Sequence, residues 1–474
     1  MDLSRRSLLT SLAGVTGAAG ASAFTRSVSS AAQRPDVLFI AIDDLNNWLT
    51  LYDPKNPIRT PNLERLAQRG VFFSHAYAAA PMCNPSRTAV MTGLRPTTSG
   101  VYTNADPWRR ILPKAVTISQ QFMNSGYLAE CGGKVFHHGL TGADDPANPS
   151  FRLVFTKVPE RAPAKNYNGF TERPLSSTGY DFGEHNQKMT DVDLVEWATE
   201  ELRKPRKDPL FLATGIFRPH LPFYSPPEFF KMYPPDKVVL PAMPERDLDD
   251  VPPIGRQLAH TEQFLYQGVS SQATDSPGSL RRFVQSYQAA ATFADSMVGR
   301  LLDALDSTGR TQNTIIVLWS DNGYHLGDKE NCVKFTLWEK SCNVPFIIIA
   351  PGAAKAGARC SQPVSLVDIF PTLLELASLP VLEGLDGNSL VPLLRRPDLE
   401  WDRPAFMTSG RGNHAVRSRR WRYIHYSDGT EELYDHDRDP WEWTNLAKDS
   451  KHADVIKAHK AWLPKQERIT PELR

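Results

Sequence analysis

The chain has 474 residues, 41% hydrophobic and 23% charged, with 54 Lys and Arg against 53 Asp and Glu. That composition excludes an intrinsically disordered chain, which lacks the apolar content to fold, and a broadly basic nucleic-acid-binding surface, which needs a charge excess. Proline is the one surplus, 38 of 474 or 8.0% against a usual value of roughly 5%, and it predicts long, stiff surface connections.

At the N-terminus, Arg5 and Arg6 precede an apolar, small-residue run from Leu8 to Gly20, and Ala21-Ser22-Ala23 offers a signal-peptidase site. The arginine pair resembles a twin-arginine export signal. Residues 1–23 are therefore expected to be removed, leaving a mature chain that starts near Phe24 and is exported to a bacterial periplasm or beyond. The alternative is an anchoring helix, but the run is too short and too rich in Gly and Ala to span a bilayer. Five cysteines (Cys83, Cys131, Cys332, Cys342, Cys360) are too few and too odd in number for a disulfide scaffold; a Cys332–Cys342 pair stays open. No C-x-x-C or H-E-x-x-H zinc pattern occurs.

From Asp36 to about Leu379, continuous apolar runs alternate with helical periodicities, which predicts a mainly parallel sheet wrapped by helices. Val37–Ile42 reads as a buried strand. Thr60-Pro61-Asn62 opens a helix with a cap and an N-terminal proline, and Gly70 closes it. Leu210–Phe217, Thr314–Trp319 and Val344–Ala350 are further strands. Phe283, Tyr287, Ala290, Ala294, Met297, Leu301 and Leu305 recur at steps of three and four and predict a long core helix. Residues 141–190 read as an inserted excursion, and residues 219–253 carry ten prolines; the latter is either a stiff strap or a substrate-site wall. After Pro392 the texture turns to short strands, with Asp428-Gly429 marking a hairpin. The expected organisation is a signal segment at 1–23, a catalytic domain at 34–390 and a small C-terminal antiparallel-sheet subdomain at 391–474.

In open α/β sheets ligands gather beyond the carboxyl ends of the strands. The first strand ends in Asp43-Asp44, the Leu210 run leads into Arg218-Pro219-His220, and the Thr314 run ends in Ser320-Asp321-Asn322-Gly323. Each carboxylate pair alone reads as a turn or cap. Together, after strands, they suit a hard cation such as Ca²⁺ or Mg²⁺.

The segment Cys83-Asn84-Pro85-Ser86-Arg87, followed by Thr92-Gly93, matches C-x-P-S-R with a trailing T-G and resembles the recognition motif of type I sulfatases, in which the cysteine is oxidised to formylglycine. Gly133-Lys134-Val135-Phe136-His137 is similar to the family's G-K-x-x-H segment. Phe217–Phe223 is similar to its histidine loop, Ser320–Gly323 to its second metal segment, and Lys334 to its late lysine. The resemblance is greatest to iduronate-2-sulfatases, which usually carry Asp-His where this chain has Asp321-Asn322; that departure leaves the metal site intact and puts the iduronate substrate in question.

The resemblance implies an alkaline-phosphatase-like fold and hydrolysis of a sulfate ester on a sulfated carbohydrate. It also implies maturation of Cys83 by a formylglycine-generating or radical sulfatase-maturating enzyme. Ca²⁺, rather than Mg²⁺, would be held by Asp43, Asp44, Asp321, Asn322 and the modified Cys83. Arg87 would hold the nucleophile, while Lys134 and Lys334 would bind the sulfate oxygens. His220 would protonate the leaving alcohol and His137 would take the proton that resets the aldehyde; His138 is assigned no role. Three other readings compete. They are a phosphonate or phosphodiester hydrolase using the same aldehyde, a non-catalytic exported carbohydrate-binding protein, and a thiol protease using Cys83 and His220.

Overall fold

The computed structural model describes residues 34–137, 149–156 and 162–471. The export segment at 1–23, His138, and residues 141–148 and 157–161 of the excursion lie outside the described residues.

An eight-stranded sheet forms the frame. Its strands are β1 (Asp36–Ile42), β2 (Val71–Phe73), β3 (Leu128–Gly133), β4 (Leu153–Phe155), β5 (Leu210–Ile216), β6 (Thr314–Ser320), β7 (Phe346–Ile349) and β8 (Ala358–Cys360). Their spatial order is β8-β2-β7-β6-β1-β5-β3-β4. β1 runs parallel to both β5 and β6, and only β7 opposes its neighbours. Sheets of this kind are covered on both faces, which is why the central strands β1, β5, β6 and β7 are near-continuous apolar runs rather than alternating. The residues of β5 and β6 are all buried. The mainly parallel architecture read from the sequence is the one found.

Helix α1 (Pro61–Ala67) starts as expected at Pro61, but the Thr60 side chain makes no cap. The free N–H groups of Asn62 and Leu63 donate instead to the Asp295 carboxylate, at 3.1 and 2.8 Å. Gly70 also has a different purpose from ending the helix: a Cβ there would lie 2.2 Å from the Ile348 carbonyl oxygen. Helix α2 (Cys83–Thr92) begins at the motif cysteine itself. The long helix α3 (Leu280–Ser307) buries all seven residues of the predicted stripe.

A four-stranded antiparallel sheet follows: β9 (Ala405–Thr408), β10 (His414–Arg417), β11 (Trp421–His425) and β12 (Glu431–Asp435). The β11–β12 hairpin turns at Asp428-Gly429, with Gly429 at φ 84°. One face of this sheet packs on Tyr77, Leu337 and Trp338 of the main body. Val391, Leu393 and Leu394, just past the expected boundary, belong to the core of the large sheet. Residues Arg34–Arg474 form one compact unit. All five cysteines are buried and free, so Cys332 and Cys342 do not pair. No helix among the described residues is long and apolar enough to cross a membrane.

Candidate active site

Strand register assembles the site. Ile42 on β1 lies opposite Ile216 on β5 and Ser320 on β6, so the residues following those strands emerge side by side. The Asp43 N–H donates to the Ile216 carbonyl and the Asp321 N–H to that of Ile42, at 3.1 and 3.3 Å. On the other flank Gly133 pairs with Gly215, and the Lys134 N–H donates to the Gly215 carbonyl at 2.9 Å. A Cβ on Gly215 would lie 2.1 Å from the Lys134 carbonyl carbon, so glycine there lets Lys134 come close enough to reach the centre.

Cys83, at the N-terminal end of α2, is fully buried. Its Sγ lies 3.1 Å from Lys334 Nζ, 3.6 Å from Lys134 Nζ, 3.7 Å from Asp43 Oδ1 and 3.9 Å from Asp44 Oδ1. Lys134 is ion-paired with Asp43 and Lys334 with Asp44. The Arg87 guanidinium donates to Asp321 at 2.7 Å and to Asp43 at 3.0 Å, and also reaches the Lys134 and Val135 carbonyls. Arg87 therefore ties two metal-candidate carboxylates to the lysine loop. His220 Nδ1 donates to the Leu221 carbonyl at 2.5 Å, leaving Nε2 toward the site, 3.8 Å from Asp44. His137 sits half-buried at the end of the Lys134 loop.

Three carboxylates and three cations alternate in this centre. Burial pushes Asp43 up, but Lys134, then His220, Arg87 and Lys334, overcompensate and hold it well below the usual carboxylate range. Burial raises Asp321 to about 6 against the pull of Arg87, with Asp43 and Asp44 adding to the rise. Burial also lifts the Cys83 thiol to about 12; Asp321 and Asp43 raise it further, while the two lysines only partly offset them. A thiol raised in this way is the opposite of an activated one, which weighs against the thiol-protease reading although a ring nitrogen of His220 lies within 4.8 Å of Cys83 Sγ.

Asp43, Asp44, Cys83 and Asp321 each offer a ligand atom within 4.8 Å of the others. Asn322 donates its amide nitrogen to Asp44 at 2.7 Å, leaving its Oδ1 buried without a partner. An orphaned buried acceptor beside three converging carboxylates fits a hard, oxygen-preferring divalent cation.

Sequence reasoning missed the supports beneath these residues. Tyr287, expected only as core, donates its hydroxyl to the Asp44 carbonyl and accepts from the Asn46 N–H, at 2.7 and 2.9 Å. The Ser86 hydroxyl donates to the Asp321 carbonyl, and Ser320 Oγ accepts from the Leu45 N–H. Periodicity identifies Tyr287 as buried but carries no signal of where its hydroxyl points.

Beside Lys134 opens a cavity of about 410 Å³. Phe155, Ala162, Thr178 and Gly179 of the 141–190 excursion wall it on one side, and Pro222 and Tyr224 of the proline-rich segment on another. Within residues 219–253, Pro222 and Tyr224 reach this cavity, while Phe230, Tyr233 and Val238 are buried against the core as a strap would be.

The sulfatase family model matches residues 35–379, and the N-sulphoglucosamine sulphohydrolase C-terminal model matches residues 327–468. The chain is 38% identical to a sulfatase of Formosa agariphila over 93% of its own length and 88% of that protein. It is 31% identical to mouse iduronate 2-sulfatase over 74% of this chain and 70% of that one. Among solved structures, a 2-O GAG sulfatase superposes with a TM-score of 0.70 at 25% identity, covering 90% of this chain and 91% of that one. A phosphonate monoester hydrolase from Silicibacter pomeroyi shares the fold, with a TM-score of 0.75 at 22% identity over 90% and 94% of the two chains. Family match, near relatives and the geometry around Cys83 agree: the chain belongs to the sulfatase family and is a sulfuric ester hydrolase with iduronate-2-sulfatase-like relatives.

Proposed function

We propose that the enzyme desulfates a sulfated carbohydrate of the uronic-acid-bearing glycosaminoglycan type, with Cys83 converted to formylglycine. The observation that carries this reading is the setting of Cys83: two ammonium groups at 3.1 and 3.6 Å make an anion site around a buried side chain at the start of α2, and burial raises its thiol rather than activating it. Oxidation of that thiol to an aldehyde would supply a nucleophile as its hydrate. A divalent cation, Ca²⁺ by family resemblance, would be held by Asp43, Asp44, Asp321 and Asn322 and would supply Lewis-acid polarisation there.

Lys134 and Lys334 bind the sulfate oxygens and stabilise charge on them as the ester bond lengthens. Arg87 keeps Asp43 and Asp321 in register. Burial, and next the Lys134 charge, pull His220 down to about 4, so the resting imidazole is neutral. An arriving sulfate offsets that lysine charge, so that His220 takes up a proton from solvent as the substrate binds and delivers it to the leaving alcohol oxygen. His137 is assigned the base that takes the proton of the second hydroxyl, so that sulfate is expelled and the aldehyde returns. The cavity beside Lys134 receives the sugar ring; the names of the iduronate and 2-O GAG relatives support a uronic-acid substrate.

The peptide carrying Cys83 is expected to show the mass loss of thiol-to-aldehyde conversion. Co-expression of a formylglycine-generating or radical sulfatase-maturating enzyme should raise activity in proportion to aldehyde content. Desulfation is read on defined glycosaminoglycan and algal oligosaccharides, with phosphate and phosphonate esters in parallel. Full activity with Cys83 entirely as thiol overturns the mechanism, and turnover of the phosphorus esters alone overturns the sulfate assignment. Asp321→Ala should lose activity and bound metal together, read by elemental analysis. We further propose export through residues 1–23: Arg5→Lys with Arg6→Lys should hold precursor in the cytoplasm, and normal export of that variant would contradict it.

A further inference from the structure

Residues that the catalytic cluster does not use surround a second cavity, of about 340 Å³, lined by Trp48, Tyr52, Lys340, Arg359, Trp441 and Trp443 among others. Asp43, Asp44, Cys83, Lys134, His220 and Lys334 take no part in its wall. It lies at the same end of the large sheet as the catalytic cluster but toward β2, whose continuation, Ser74-His75, forms part of the wall. The 410 Å³ cavity lies toward β3 and β5 instead, contacting Gly133 and Gly215.

Charge distinguishes the lining groups. The carboxylates are already engaged: Asp247 by Lys329 at 2.7 Å, Asp328 by His325 at 2.5 Å, Glu442 by Arg422 at 2.5 Å, Glu339 by Arg417 and Arg422, and Asp437 by Arg420 at 3.6 Å. Among the described residues, Lys340, Arg359 and Arg419 form no ion pair with a carboxylate. Lys340 Nζ reaches only the Asn47 side-chain oxygen, at 3.2 Å, and stands over the rings of Trp48 and Trp441 at 5.7 and 5.2 Å. The Tyr52 hydroxyl is buried and has no hydrogen-bond partner. At the mouth, Trp441 and Trp443 are 44% and 39% exposed, with nearly parallel rings 6.1 Å apart.

We propose that this cavity is a second saccharide-binding site, which takes a sulfate- or carboxylate-bearing sugar residue of the polymer whose ester is cleaved elsewhere on the same sheet end; the choice of ligand rests on the carbohydrate reading above. Exposed indole faces suit the C–H face of a pyranose, and aromatic side chains of this kind are the usual anchors of binding sites. The Lys340 ammonium, without a carboxylate of its own, supplies the counter-charge for the anionic group, with Arg359 and Arg419 at the rim. The volume is at the lower end of ligand pockets and matches one substituted ring rather than a chain segment. Such a site would hold the polymer while its ester groups are presented to Cys83.

The test uses the full chain in a Cys83→Ala background, so that turnover does not enter. A sulfated glycosaminoglycan hexasaccharide and its chemically desulfated counterpart are titrated calorimetrically. Trp441→Ala with Trp443→Ala alters two exposed side chains and should weaken the sulfated hexasaccharide by about tenfold or more. Lys340→Gln should weaken the sulfated ligand and leave the desulfated one unchanged. Unaltered affinity in the tryptophan double variant overturns the site, and equal losses for both ligands in Lys340→Gln overturn its anion selectivity. Weakened binding in a protein whose Cys83-containing form cleaves no sulfate ester would uphold this site and defeat the proposed function. Unaltered binding in one that does cleave a sulfated monosaccharide would do the reverse.

Discussion

Two buried charge clusters in this molecule look alike as lists of residues and differ in what surrounds them. Asp43, Asp44, Cys83 and Asp321 form one; Glu339, His436 and Glu442 form the other, and both bring candidate ligand atoms within 4.8 Å. In the second cluster every carboxylate is saturated. Arg422 pairs with Glu339 and Glu442, Arg417 with Glu339, and His436 with Glu442 at 2.9 Å. The Tyr77 hydroxyl donates to Glu339 and the Glu339 N–H to Glu442, at 2.9 and 2.8 Å. Burial pushes both glutamates up, and the arginines more than reverse it, so both stay low. In the first cluster burial instead lifts Asp321 to about 6, and Asn322 Oδ1 has no partner. Saturation marks the clamp that fastens the C-terminal sheet to the loop behind Lys334. In the first cluster the carboxylates are ion-paired too, and the difference is Asn322 Oδ1, a buried acceptor left over beside them, which fits a hard cation.

The comparison is sharpest at Cys83. Cys83→Ala is expected to cut kcat by about 10⁴ or more, the scale for loss of a nucleophile, while thermal unfolding shows the fold retained; residual activity within tenfold of the parent would break the assignment. At the clamp the loss should fall on stability. Arg422→Met leaves two buried glutamates short of a cation and should cost about 3–5 kcal/mol in urea unfolding. A change below about 1 kcal/mol would mean that the network is dispensable.

The clamp also sets an acid limb. Glu339 and Glu442 have folded pKa values below their ordinary 4.5. Their stabilisation is therefore full above that value and is lost as pH falls toward the lower folded values. Glu442→Gln should flatten the unfolding free energy against pH below about 4.5, by up to about 1.4 kcal/mol per pH unit; an unchanged slope would contradict it. The smallest effect is expected beneath the active site. Tyr287→Phe removes the hydroxyl that joins Asp44 to Asn46 and should cost about 0.5–1.5 kcal/mol of stability, together with a measurable drop in kcat. A stability loss with kcat intact would make Tyr287 core alone, as its periodicity suggests.

Much of the site was legible because its residues follow strands. Asp43-Asp44 and Asp321-Asn322 come directly after buried apolar runs, and parallel pairing in register then brings them together, while Lys134 was legible only through the resemblance of Gly133–His137 to the family's G-K-x-x-H segment. The supports were illegible for the opposite reason. Asp295 caps a helix 233 residues away, and Tyr287 holds a loop from the middle of a core helix, so neither leaves a local trace. Thr60 and Gly70 show the same limit: the helix starts after Thr60 and ends before Gly70 as read, but Asp295 supplies the cap and the Ile348 carbonyl explains the glycine.

The sequence by itself determined the elements, the parallel architecture and the identity of the chemical groups, because apolar period and short motifs are local properties of the chain. Only the tertiary structure decided that burial raises the Cys83 thiol, that Arg87 binds carboxylates, and that residues 141–190 and 219–253 meet as cavity walls. It also decided that Asn322 Oδ1 is left over beside one acidic cluster, among the described residues, while the other cluster is paired throughout. Each of these depends on burial and on partners distant in the chain, and desolvation and Coulomb energy act through space rather than along the sequence.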